Sequence, residues 1–339
     1  MRILLVHPGA TFSVQDVYDG WLEALQGLGH TVAEYNLGDR LIFYGSVHLQ
    51  AEDGTWHEAL DKRAAQLHAV NGLYASLMRV RPDVMIVVSA FFIPLDLFDI
   101  ARQFGVRVVV HHTESPYQDD QQIQVAAHAD LNLLNDPLNV EKFRRVAPAE
   151  YMWHAYRPTV HCPGPSLADL ECDFAFVGTG YPSRVEFLER MNLGGLRVTL
   201  AGNWQHAESL HRFVPHDLGD CYDNAQTIQL YRSTRASLNL YRREREGGGP
   251  AEAGWSMGPR EVELAATGTF FLRDSRPEGD EVLDMLPVFT SPEDASEQLR
   301  WWLDHDSQRE AAADKARSAI ADRTFHNNAR RLMRLLKEE

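Results

Sequence analysis

Short apolar runs alternate with helix-patterned stretches, twice over, on either side of a proline-rich break, and this constrains the chain more than any other feature. The runs at residues 3–7, 31–35, 84–88, 107–111, 131–134 and 151–153 are too short for helices and rich in Val, Ile and Leu. Between them, a stretch such as 14–28 sets Val14, Val17, Trp21, Leu25 and Leu28 on one helical stripe, and Gly29 supplies a stop. Alternation of this kind predicts a parallel sheet with helices on its faces. Residues 36–56 leave two readings open, a small hairpin turning at Asp53-Gly54 or an irregular flap.

The break falls at residues 154–171, where three prolines and a glycine replace the apolar periodicity. The pattern then restarts, with strands expected at 173–177, 197–201, 236–241 and 269–272, and helices at 182–191, 224–233, 259–267 and 292–303. Residues 307–337 are dense in Ala, Arg, Leu and Glu, which predicts one or two terminal helices. At roughly 150 residues per domain, a chain of 339 residues holds two cores. The expected division is an α/β domain over 1–155, a linker over 156–171, and a second α/β domain over 172–339 that carries the terminal helices.

Composition excludes several function classes. With 33 basic against 48 acidic residues the net charge is −15, which repels phosphate backbones and anionic membrane surfaces, so nucleic acid is not the expected partner. Cys162, Cys172 and Cys221 are widely spaced, with no CxxC pair, and fit neither a disulfide framework nor a zinc knuckle. A reducing, cytoplasmic setting is expected. The opening MRILLVH is too short for a signal-peptide core, and the best apolar stretch, from Met85, is interrupted by Ser89, Pro94 and Asp96, so no membrane span is expected.

In open α/β sheets ligands sit beyond the carboxyl ends of strands, where helix N-termini favour anions. The first turn reads HPGATFSVQD, which lacks the dinucleotide fingerprint G-x-G-x-x-G, and no Walker A motif occurs. Oxidoreductase and P-loop readings therefore lose their main support. The second half opens instead with FVGTGYPSR, where Gly178 and Gly180 allow close backbone approach and Arg184 stands in the helix that follows. This is either a diphosphate cradle or a tight strand-to-helix turn. Further on, Gly258-Pro259 opens a helix ended by Gly268. Its Arg260 offers a forked donor for phosphate oxygens, and Glu263, three residues on, can accept two ribose hydroxyls; an Arg-Glu surface pair is the alternative.

The succession FVGTGYPSR, VTLAGNW, IQLYRSTRASLNLYR and GPREVELAATGTFFLRDSRPEGDEVL resembles the C-terminal half of two-domain GT-B glycosyltransferases, in particular the spore-maturation-protein-like, group-1-like branch. HHTESPYQDD, NDP and HAYRPTVHCPG extend the resemblance through the first half from about residue 80. It implies a GT-B fold, two doubly wound Rossmann-like domains facing across a cleft, and transfer of a sugar from a nucleoside-diphosphate donor, UDP-linked, to a hydroxyl acceptor. Donor-binding roles pass to Gly178, Arg184, Tyr241, Gly258, Arg260 and Glu263. The resemblance also implies no cofactor and no required metal, since amides and cationic side chains neutralise the diphosphate. The only D-x-D, at Asp304 and Asp306, reads as a solvated helix end. One departure stands out: many retaining relatives carry Glu-x7-Glu, and eight residues before Glu263 stands Trp255.

Transfer requires a base for the acceptor hydroxyl and charge stabilisation for the leaving diphosphate. After the strand VRVVVHH, the HTESPY segment places His112 and Glu114 at a strand's carboxyl end. Glu114 is the candidate base if transfer inverts, and His112 the residue orienting it or the substrate; the alternative has both capping the next helix. His7, Asp16 and His154 are expected on the acceptor side. Tyr241 is expected to stack on the base, reach phosphate, or line a core. Arg242, Arg243 and Arg245, beside GGG, form either a loop over the donor or a solvated one. Two further readings remain: a catalytically inert nucleotide-sugar-binding relative, and a transferase that glycosylates modified bases in DNA.

Overall fold

The computed structural model describes residues 1–9, 14–214, 223–245, 249 and 253–337. Cys221, residues 10–13 of the first turn and most of the GGG segment fall outside them. The chain divides into two compact units, Met1–Trp153 with Phe325–Glu339, and His154–Thr324.

In chain order the first unit contains β1 (Arg2–Val6), α1 (Gln15–Gly27), β2 (Thr31–Tyr35), α2 (Leu37–Gly45), β3 (His48–Gln50), β4 (Trp56–Glu58), α3 (Lys62–Val80), β5 (Val84–Val88), α4 (Leu95–Gln103), β6 (Arg107–His112), α5 (Asp119–Ala126), β7 (Leu131–Leu134), α6 (Val140–Arg144) and β8 (Ala149–Tyr151). Six strands pair in parallel in the order β2-β1-β5-β6-β7-β8. Central β5, with the sequence VMIVV, is buried along its whole length, which is why it reads as an unbroken apolar run. Residues 36–56 resolve into a helix followed by the first strand of a hairpin. Asn36 caps α2 by accepting from the Asp39 N–H, and β3 pairs with β4 antiparallel, bringing Gln50 opposite Trp56.

The second unit contains β9 (Cys172–Val177), α7 (Pro182–Arg190), β10 (Val198–Ala201), α8 (Asn224–Ser233), β11 (Thr234–Asn239), α9 (Pro259–Thr267), β12 (Phe271–Arg273), α10 (Pro277–Val282), α11 (Pro292–Leu303) and α12 (Asp306–Ala319). Its four strands are parallel, in the order β10-β9-β11-β12. Local chemistry sets the helix ends: Pro259 occupies the first turn of α9, and Gly268 closes it at φ +80°, a conformation that favours glycine. Ser291 accepts from the Asp294 N–H at the start of α11. The core gathers Phe174, Phe176, Leu238, Val262, Phe271 and Leu299 from both faces of the sheet.

The last helix, α13 (Phe325–Leu335), corrects the expected second domain of 172–339, because it returns to the first unit. Phe325 packs against Gly20 of α1, where any Cβ would overlap its ring, and lies edge-on to the fully buried Trp21 at 6.3 Å. Asn328 donates to the Trp153 carbonyl at 3.0 Å, and Arg107 to the Leu336 carbonyl at 2.8 Å. The division also moves the expected domain limit at residue 155 back to Trp153, so His154 belongs to the second unit. Among the described residues Cys162 and Cys172 are free thiols, and no helix is long and apolar enough to cross a membrane.

Candidate active site

Strand order in the second unit reverses between β9 and β11, and such a switch point opens a crevice at the strands' carboxyl ends. There β9 runs into Gly178 and β11 ends at Asn239. Two arginines reach this spot from different helices. Arg184, in the first turn of α7, is buried and donates to the carbonyls of Leu240 at 3.0 Å and Thr179 at 3.1 Å. Arg260, in the first turn of α9, is half-buried and donates to the Val177 carbonyl at 2.9 Å and to Asn239 Oδ1 at 3.3 Å. Both guanidinium groups lie over Phe176, at 5.5 and 4.7 Å from its centroid.

Gly178 sits between them. A Cβ at this position would come within 2.7 Å of Arg260 Nη2 and 3.3 Å of Arg184 Nη1, so a side chain here would have to displace the Arg260 fork. Arg260 makes no ion pair with any carboxylate among the described residues. Two like charges held on one glycine form a local positive field at the place where this sheet topology presents a ligand. Glu263 follows Arg260 by three residues and is half-buried. Burial, then the Glu263 charge, raises the phenol pKa of neighbouring Tyr231.

Tyr241 and Gly258 turn inward instead of presenting themselves. The Tyr241 ring is buried under Arg276, whose guanidinium carbon stands 3.5 Å from its centroid, and its hydroxyl donates to Glu261. The Gly258 N–H donates to Glu261 Oε2 at 2.8 Å and to the Tyr241 hydroxyl at 3.1 Å, so this amide is spent inside the fold. Glu261, which carries no role in the sequence reading, is fully buried, and burial pushes its carboxyl up to about 7. Burial, then Glu261's charge, drives the Tyr241 phenol well above its ordinary range. The two residues brace the start of α9.

The loop after β11 is tied down across the start of α7. Glu244 accepts from the Ser183 N–H at 2.7 Å and its hydroxyl at 3.0 Å, Arg242 donates to the Tyr181 hydroxyl at 3.1 Å, and Arg243 pairs with Asp274 at 2.6 Å. His154 stands in this unit, apart in the chain's division from His7 and Asp16, with which the sequence reading grouped it. Its pKa is lowered to about 3 by desolvation and by the charges of Arg276 and Arg323.

In the first unit, His7 follows β1 and Asp16 lies buried on α1. The Gly9 N–H donates to His7 Nδ1 at 3.0 Å, so the ring proton sits on Nε2, which meets Gln15 Oε1. His112 is a core residue: its Nε2 meets Asn132 Oδ1 at 2.8 Å, its ring packs on Phe143 at 5.2 Å, and burial lowers its pKa to about 4. It braces β6 against β7, where an orienting role toward substrate or base was expected. The backbone of Glu114 makes the following turn, its N–H donating to Gln122 Oε1 at 3.1 Å and its carbonyl accepting from Tyr117 at 2.7 Å. Ser115 donates to Asp119 at 2.7 Å. The cap position of α5 is Gln118, with no side-chain cap bond, and the Glu114 side chain is half-buried.

Residues 184–337 match a family model described as glycosyl transferase-like. No curated protein matches the chain. Among solved structures, an alpha-glucosyltransferase in complex with UDP is 12% identical over 100% of both chains, with a TM-score of 0.66. The trehalose-6-phosphate synthase OtsA is 13% identical over 100% of this chain and 99% of its own, at 0.65. HepE from Anabaena, in complex with UDP, is 12% identical over 100% of both chains, at 0.61. Full coverage at these scores decides the architecture. The fold is GT-B. The GT-B fold accounts for the paired parallel sheets and directs attention to their carboxyl ends.

Proposed function

We propose that this chain is a GT-B glycosyltransferase of the spore-maturation-protein-like branch, moving a hexosyl group from a UDP-linked sugar to a hydroxyl acceptor. One observation carries the reading: two guanidinium groups meet at Gly178 on the switch point of the second sheet, and Arg260 has no carboxylate to pair with among the described residues. A diphosphate is the acceptor-rich dianion that such forks fit. The glycosyl transferase-like match over residues 184–337, and UDP in similar structures, support the choice of donor.

In this reaction the bond from the anomeric carbon to the diphosphate oxygen breaks as the acceptor oxygen attacks. Charge grows on the leaving diphosphate, where Arg184 and Arg260 meet it, aided by the N-terminal end of α9. Glu263 holds the ribose hydroxyls. We assign Glu114 as the base that takes the acceptor proton, with His7 and Asp16 on the acceptor side. Tyr241 and Gly258 act by keeping α9 in place.

Calorimetric titration with UDP, alongside an assay of transfer and donor hydrolysis, tests the reading. Arg260→Ala is expected to weaken UDP by about tenfold to a hundredfold, and Glu114→Ala to leave UDP binding intact while slowing turnover. A protein that binds none of UDP, GDP and dTDP, or whose Arg260→Ala variant binds UDP as the parent does, contradicts it. Trp255, standing where retaining relatives carry the first carboxylate, favours a second reading, an inert nucleotide-sugar-binding relative. UDP binding without any donor hydrolysis or transfer would select that one.

A further inference from the structure

Asn239 ends β11 at the switch point and is 1% exposed, a polar side chain buried at the strand's carboxyl end. Its amide is divided between two fates. Oδ1 accepts from Arg260 Nη1 at 3.3 Å, and because a guanidinium only donates, this contact fixes which end of the amide is which. Nδ2 is then a buried donor, and it meets no acceptor among the described residues. The Asn239 carbonyl accepts from the Asp274 N–H at 3.0 Å.

A buried N–H group left without an acceptor forfeits its hydration with nothing in return, and native folds rarely keep one without a reason. Here the orphan lies on the same residue that holds Arg260, a cation with no anionic partner among the described residues. A group that satisfies both must be an acceptor and must carry negative charge. We propose that Asn239 is a phosphoryl-recognising residue, donating from Nδ2 to a phosphate oxygen of the ligand while its Oδ1 steers Arg260 onto the same group. This deepens, and rests on, the reading of the site as one for a nucleoside diphosphate.

The experiment is titration of UDP and of inorganic pyrophosphate, which offers phosphoryl oxygens alone, into the parent protein, Asn239→Asp, Asn239→Ser and Arg260→Ala, with a thermal melt of each. Asn239→Asp replaces the donor by an acceptor and hands Arg260 a carboxylate. It is expected to weaken both ligands by about tenfold to a hundredfold, with a melting temperature at or above the parent's. Asn239→Ser, which keeps the site small and neutral, is expected to weaken both ligands in the same direction and serves if the aspartate variant does not fold. Parent-like binding of both ligands by the Asn239 variants, while Arg260→Ala loses them, would overturn the inference and leave the nucleotide reading standing. Weakened UDP with unchanged pyrophosphate would also overturn it, since Nδ2 would then face another part of the ligand. Failure of the parent to bind either ligand would overturn the underlying reading, and the inference with it.

Discussion

The two units share one architectural idea, a parallel sheet with a switch point, yet furnish its carboxyl end with opposite chemistry. In the first unit the strand ends carry histidines engaged by their neighbours: His7 Nδ1 accepts from the Gly9 N–H while its Nε2 meets Gln15, and His112 is held by Asn132 with its pKa lowered to about 4 by burial. In the second, two permanent cations stand against Gly178. The topology places a crevice in both, and the proposed reading gives the anion to the second, where the two cations stand. The lesson is that a switch point is a location, and charge makes it a function.

The largest effect expected from breaking this contrast comes from Gly178→Val. Its branched side chain must displace Arg260 Nη2 from 2.7 Å and Arg184 Nη1 from 3.3 Å, so both forks are pushed off the diphosphate and UDP affinity should fall by more than about a hundredfold. Titration of UDP into the variant checks this, and retained affinity would show that the forks do not act together.

A second effect sharpens the contrast through pH. His112 has its pKa lowered to about 4, so the unfolded chain binds the proton more readily; its contribution to stability is full above the ordinary histidine value and lost as pH falls toward 4. Glu261 has its pKa raised to about 7, so its contribution is full below the ordinary carboxyl value and lost as pH rises through 7. His154, lowered to about 3 in the same unit as Glu261, works in the direction of His112, so each group is read by difference from its own variant. Melting curves of parent and Glu261→Gln between pH 4.5 and 8 should show the parent losing ground to the variant as pH rises. His112→Gln should show the parent losing ground as pH falls from 6.5 to 4. A gap that stays constant with pH in either series contradicts the assignment for that group.

Arg190→Ala gives the smallest effect and serves as the control. Arg190 is exposed and pairs with exposed Glu293 at 3.0 Å, where solvent screens the attraction. Removing this charge, at the far end of the helix that carries Arg184, should leave UDP affinity unchanged within about twofold. A loss like that of Arg260→Ala would mean that overall charge, and not the placed forks, governs binding.

Much of this was legible in the sequence, for physical reasons that also explain what was missed. Central strands such as β5 and helices such as α9 and α11 declare themselves because burial imposes an apolar pattern while proline, serine and glycine mark the ends. Helix α2 hid because Ile42 and Phe43 are 71% and 64% exposed, so its apolar residues do not trace a buried face. The return of α13 to α1 depends on Gly20 meeting Phe325, two residues with nothing local to link them. The R-x-x-E spacing pointed to Arg260 and Glu263 only together with the resemblance, because a surface Arg-Glu pair shows the same spacing. Asn239 and Glu261 were not singled out, because a buried polar residue acquires meaning only from neighbours brought together by the sheet, here Arg260 for one and Tyr241 for the other.

The most direct test of the central claim, that the switch point of the second sheet grips a diphosphate, is a crystal structure of the protein with UDP. The account predicts phosphate oxygens within hydrogen-bonding distance of Arg184 and Arg260 beside Gly178. UDP seated elsewhere, with both guanidinium groups still turned only to protein oxygens, would contradict it.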